Sequence, residues 1–124
     1  MLAESDVLSL HCPLTAETRN LIDGRALSAM RRDAVLINTA RGALVDADAL
    51  LEALRDGRIA GAGIDVLAEE PPAAGNPLLD ARLPNLIVTP HIAWAARESR
   101  QRALDEVVRN IRDFVAGGRR NRVV

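Results

Sequence analysis

The sequence predicts an α/β fold: part of a doubly wound parallel sheet that ends in a long C-terminal helix. Three observations predict it. Continuous apolar runs without alternation, such as Ala34 to Asn38, have the pattern of strands covered on both faces. Segments with apolar residues at helical spacing alternate with those runs. Aromatic residues make up only 2% of the 124-residue chain against 48% hydrophobic residues, so Val, Ile, Leu and Ala must build the core. That palette suits a parallel sheet between helices better than an aromatic-rich sandwich.

The elements follow in order. Val7 to His11 is the first expected strand, stopped by Pro13. Thr15 to Leu21 is a polar turn with room for one helical turn. Asp23 is placed to cap a short helix over Gly24 to Met30. Ala34 to Asn38 is the second strand. Asp46 caps a helix over Ala47 to Arg55, in which Leu50, Leu51 and Leu54 share one face and Gly57 supplies the stop. Ile59 to Val66 is the third strand, whose small residues imply close packing of a helix against the sheet. Pro71 to Pro84 is a loop in which Pro77 to Asp80 allows a single turn, and Leu86 to Thr89 is the fourth strand. One long helix spans Ala95 to Ala116, with Leu104, Val107, Val108, Ile111, Phe114 and Val115 as an apolar stripe expected to pack into the core; Gly117-Gly118 ends it.

Composition removes several function classes. A net charge of −1 gives no bulk attraction to nucleic acid or to an anionic membrane. All 16 cationic side chains are Arg, in keeping with a bias of codon composition, and the Arg119–Arg122 cluster is expected to be a solvated tail. Cys12 is the only cysteine, so no internal disulfide forms and a reducing compartment, the cytoplasm, is expected. No stretch approaches the roughly 20 apolar residues of a membrane span, and Met1 to Asp6 lacks the regions of a signal peptide. No metal-ligand spacing is present. No Gly-x-Gly-x-x-Gly opens a helix, so no phosphate cradle can be assigned.

Three polar residues stand where the apolar runs end. Arg41 follows the second strand, Glu70 follows the third and precedes Pro71-Pro72, and His91 follows the fourth. The carboxyl ends of parallel strands share one edge, where ligands bind. A guanidinium, a carboxylate and an imidazole are therefore expected at one rim, a set suited to reducing a 2-keto acid.

The words around these residues are recognisable. Asn38-Thr39-Ala40-Arg41-Gly42, the stretch Gly61 to Pro71, Thr89-Pro90-His91 and the stretch Leu10 to Thr15 resemble, in order and separation, the D-isomer-specific 2-hydroxyacid dehydrogenases. Ile92-Ala93-Trp94 is most similar to the glycerate dehydrogenase and hydroxypyruvate reductase group, although corepressors of the C-terminal-binding-protein type share a similar stretch. The resemblance implies a partial Rossmann-like domain and hydride transfer between NAD or NADP and a small 2-hydroxy or 2-keto acid.

It also assigns roles. His91 would exchange the proton, Glu70 (rather than Glu69, since the family's acid immediately precedes the proline) would hold the imidazole, and Arg41 would bind the substrate carboxylate. An unperturbed imidazole, with a pKa of about 6.5, suits proton exchange near neutral pH. A guanidinium fork holds two oxygens in one plane, which Lys cannot do. The cofactor contacts implied are Cys12 and Pro13, then Thr39, Ala40 and Arg41, then Asp65, and His91, Ile92, Ala93 and Trp94. Asp65 would accept a hydrogen bond from the nicotinamide carboxamide, although an Asx turn at a strand end suits it equally.

The family has two domains, and this chain matches the latter portion. The whole of residues 1–124 is therefore expected to be a single, incomplete nucleotide-binding domain, with the glycine-rich fingerprint and the substrate domain outside it, and to be inactive alone. A homodimer through the nucleotide domain is the assembly that the resemblance allows. The rival expectations are a dinucleotide-sensing, corepressor-like binding protein on the same scaffold and an inactive remnant.

Overall fold

The computed structural model describes residues 1–123, which divide into two compact units, Met1–His91 and the residues from Ile92 onward. The first unit contains β1 (Val7–Leu10), α1 (Gly24–Ser28), β2 (Val35–Asn38), α2 (Ala47–Arg55), β3 (Gly61–Ile64), α3 (Pro77–Asp80) and β4 (Leu86–Val88). The second contains α4 (Arg97–Val115). Each of these elements falls on an expected one: α2 and α3 have the expected bounds, and the others are shorter. The strands lose terminal residues, most of all the third, because ladder pairing stops where the partner strand stops.

All four strands are parallel and lie in the order β1-β2-β3-β4, one wing of a doubly wound sheet. The register sets Leu8, Leu36, Ala62 and Leu86 in one row across the sheet and Leu10, Asn38, Ile64 and Val88 in the next. Both rows share a face, since alternate residues of a strand point the same way. That face forms one core with Leu27 of α1, Leu50, Leu51 and Leu54 of α2, and Leu78 of α3. An unreversed strand order with right-handed crossovers places all three connections on the same side. The opposite face of this unit is left with Val7 61% and Ile87 67% exposed.

Local chemistry explains where the helices start. The Asp23 carboxylate accepts from the Arg25 and Ala26 N–H groups, and the Asp46 carboxylate from those of Asp48 and Ala49. Asn76 caps α3 in the same way, ahead of Pro77. Gly57 ends α2 at φ +62°, a left-handed conformation that glycine reaches without steric cost.

Two expectations are corrected. The apolar stripe of α4 is not core: no residue of the helix is buried, and Phe114 is 79% exposed. Among the described residues, the unit from Ile92 onward holds this one helix, so it has no second layer of its own to cover the stripe. Of the small residues of β3, Ala62 packs into the core with the helices, but the two glycines meet other neighbours. A β-carbon on Gly61 would sit 3.0 Å from the Asn85 carbonyl oxygen, and one on Gly63 would sit 3.1 Å from Ile37 Cδ1. The close neighbours are the approach to β4 and a side chain of the adjacent strand.

Candidate active site

His91 and Glu70 meet at the carboxyl end of the sheet. His91 Nδ1 lies 2.7 Å from Glu70 Oε2. The other carboxylate oxygen of Glu70 accepts the Leu67 N–H at 2.6 Å. Glu70 is thus gripped on one side by its own loop and presents its second oxygen to the imidazole. The Leu67 N–H first, and the His91 ring second, hold its carboxyl below the usual range. Glu69, the neighbouring acid, is exposed.

The backbone of His91 is unusual: φ is +54°, in the left-handed region that non-glycine residues seldom occupy. Its N–H donates to Asp65 O at 2.8 Å and is shared with Thr89 O at 3.0 Å. These bonds turn the chain sharply after β4 and aim the ring back at the loop after β3. A cavity of about 390 Å³ opens beside the pair, walled by Leu67, Pro71, Pro72, Leu79, Val88 and Pro90 together with Glu70, Thr89 and His91. Its walls are mostly apolar.

Asp65 is 4% exposed, at the end of β3. Its Oδ1 accepts the Thr89 hydroxyl at 2.5 Å, so a residue two positions before His91 fixes the carboxylate. Sequence reasoning passed over Thr89, although the Thr89-Pro90-His91 word contained it.

Arg41 stands in a second concavity, an open cleft of about 760 Å³ that it shares with His11, Cys12, Pro13, Leu14, Thr39 and Ala40. The structure therefore gathers Cys12, Pro13, Thr39, Ala40 and Arg41 in one place, while Glu70 and His91 border the other cavity. The guanidinium turns onto its own loop, where Nη1 donates to Ala40 O at 2.6 Å. The two loops touch through their backbones. A β-carbon on Gly42 would lie 2.0 Å from the Leu67 carbonyl carbon and 2.3 Å from the Ala68 nitrogen, so only glycine permits the approach. Leu67 is the residue whose N–H holds Glu70, and the loop after β2 is thus pressed against the support of the acid–imidazole pair.

Ile92, Ala93 and Trp94 belong to the other unit and are exposed; there the Ala95 N–H donates to Ile92 O at 2.8 Å. Among the described residues, no group of three or more His, Cys, Asp or Glu side chains is placed to hold a metal ion, and no helix is long and apolar enough to cross a membrane.

An all-parallel sheet with a carboxylate–imidazole pair at its carboxyl ends defines a ligand-binding α/β domain. The chain belongs to the D-isomer specific 2-hydroxyacid dehydrogenase family: residues 1–93 match that family's NAD binding domain. It is 58% identical over 121 residues to the glycerate dehydrogenase of Methylorubrum extorquens, covering 98% of this chain and 38% of that protein. It is 42% identical over 117 residues to the hydroxypyruvate reductase of Blautia hydrogenotrophica, covering 94% of this chain and 36% of that protein. Among solved structures, the NAD complex of a D-isomer specific 2-hydroxyacid dehydrogenase from Lactobacillus delbrueckii ssp. bulgaricus superposes with a TM-score of 0.84. That match has 38% identity and covers 99% of this chain and 40% of that one. The chain spans between 36% and 38% of the length of the two curated relatives.

Proposed function

We propose that residues 1–124 are the C-terminal portion of a nucleotide-binding domain, and that they supply the acid–base and cofactor-facing groups of an oxidoreductase. The reaction is reduction of a small 2-keto acid of the hydroxypyruvate or glyoxylate type to its D-2-hydroxy acid, and its reversal. The observation that carries this reading is the 2.7 Å contact between Glu70 Oε2 and His91 Nδ1, made at the strand ends by residues from two different loops.

A nicotinamide dinucleotide, when bound, supplies the hydride. The residues present fit such a group. Asp65 offers a buried carboxylate held in place by Thr89, an acceptor for a carboxamide N–H. Cys12, Pro13, Thr39, Ala40 and Arg41 line an open cleft at the same edge. The family resemblance assigns Ile92, Ala93 and Trp94, of the other unit, to the cofactor as well.

The remaining chemistry belongs to the chain. With Nδ1–H committed to Glu70, Nε2 is the nitrogen that delivers a proton to the keto oxygen and recovers it in the reverse direction. Glu70 selects that tautomer by accepting from Nδ1. Arg41 takes the substrate carboxylate in a two-pronged pair once its side chain swings from the Ala40 carbonyl. This reading implies a cytoplasmic enzyme and an assembly as a homodimer.

The test joins the chain to the N-terminal part of the glycerate dehydrogenase it resembles and assays hydroxypyruvate and glyoxylate with NADH and NADPH. Turnover of either acid is expected. His91→Ala should abolish it while leaving dinucleotide binding largely intact, because losing the proton donor acts first on kcat. A folded, dinucleotide-binding chimera that turns over no small 2-keto acid would refute the proposal.

A further inference from the structure

We infer that Asn38 is a positioning residue for Arg41: its buried carboxamide shapes the 39–41 loop and so sets the direction from which the guanidinium meets a substrate carboxylate. The inference rests on the role given to Arg41 above.

Asn38 is fully buried, at 0% exposure, in a row of the sheet whose other members are Leu10, Ile64 and Val88. An apolar residue is the ordinary occupant of such a place, because burying an amide is costly unless both of its ends are paired. Here both are. Nδ2 donates to Arg41 O at 2.9 Å, and Oδ1 accepts the Ala40 N–H at 3.1 Å. The partners are the two backbone groups that decide the path of the loop, on either side of the peptide that joins Ala40 to Arg41.

The Arg41 carbonyl also receives the Leu44 N–H, at 3.2 Å. That carbonyl is therefore held from two directions, by the side chain at the end of β2 and by the single 3-10 turn over Gly42–Leu44. Gly42, next in the chain, lies against the Leu67–Ala68 backbone. Arg41 is left with an extended backbone (φ −144°, ψ 136°) between two fixed points, and the freedom that remains is in its side chain. A core amide kept only for packing would not need both ends directed into one loop.

Asn38→Asp is the discriminating change. It keeps the acceptor for the Ala40 N–H and the shape of the side chain, but loses the donor and sets a second oxygen against the Arg41 carbonyl. Two readouts are taken. In the chimera of the functional test, KM for hydroxypyruvate is expected to rise about tenfold for Asn38→Asp, with kcat changed less. Combined with Arg41→Lys, the double variant should be no worse than Arg41→Lys alone by more than about twofold, since both act through one group. In the 124-residue chain, hydrogen exchange at the Leu44 amide, whose acceptor is the Arg41 carbonyl, should accelerate while exchange in α2 does not.

An unchanged KM, or fully additive effects in the double variant, overturns the inference. If Arg41→Lys alone leaves KM unaltered, the role of Arg41 fails. The Leu44 exchange rate then decides whether Asn38 holds the loop, and an unaltered rate rejects that too. Should Asn38→Asp not fold, Asn38→Ser, smaller and uncharged, is read by the same measurements.

Discussion

Replacing Gly42 by Ala tests the contact on which the two loops depend. The added β-carbon would stand 2.0 Å from the Leu67 carbonyl carbon and 2.3 Å from both the Leu67 oxygen and the Ala68 nitrogen. All three are backbone atoms, so no rotamer change relieves the overlap. Carbon atoms pack at about 3.5–4.0 Å, and the loops must therefore part by roughly 1.5 Å. Forcing extra volume into a packed region costs about 1–3 kcal/mol, and a rigid backbone neighbour argues for the upper end. Urea unfolding of the 124-residue chain at neutral pH should show it. With an m-value of about 1–3 kcal/mol/M, a loss of 3 kcal/mol lowers the midpoint by about 1–3 M. Gly24→Ala is the control: its β-carbon meets only Ala49 Cβ, at 3.9 Å, so its midpoint should stay or rise slightly. A Gly42→Ala chain as stable as its parent, with the Glu70–His91 bond intact in its crystal structure, would refute the reasoning.

Two further outcomes follow from the geometry. The Leu67 N–H and the His91 ring lower the pKa of Glu70 in the folded chain, so its ionised form favours the native state. That contribution is complete above the ordinary value of 4.5 and is lost as pH falls through the lower folded value. The urea midpoint of Glu70→Gln should therefore lie below that of the parent at pH 6 and converge with it in strong acid; a constant gap across that range counts against the assignment. Asp46→Ala removes the acceptor for the Asp48 and Ala49 N–H groups, and thermal unfolding should register a loss of about 1 kcal/mol.

Much of the chain's organisation is readable in one dimension because its causes are local. Asp23 and Asp46 lie one residue before the helices they cap, Leu50, Leu51 and Leu54 recur at helical spacing, and Gly57 stands where α2 stops. The stripe of α4 shows the limit of that reasoning. Periodicity identified the helix and its apolar face, but periodicity records only that a face is apolar. Whether anything covers it depends on other segments, and none of its residues is buried. The glycines of β3 were misread for a related reason, since a small residue signals close approach without naming what approaches.

By itself the sequence determined the element types, the strand ends at which Arg41, Glu70 and His91 would stand, and the family to which the chain belongs. Only the tertiary structure decided that Glu70 pairs with His91 across 21 residues of sequence, that Thr89 holds Asp65, that Asn38 closes the Arg41 loop, and that Arg41 faces a different concavity from the acid–imidazole pair. The physical reason is the separation of scales. Capping and spacing act over three or four residues. The meeting of side chains from different loops depends on which strands lie side by side and in what register, a property of the folded sheet as a whole.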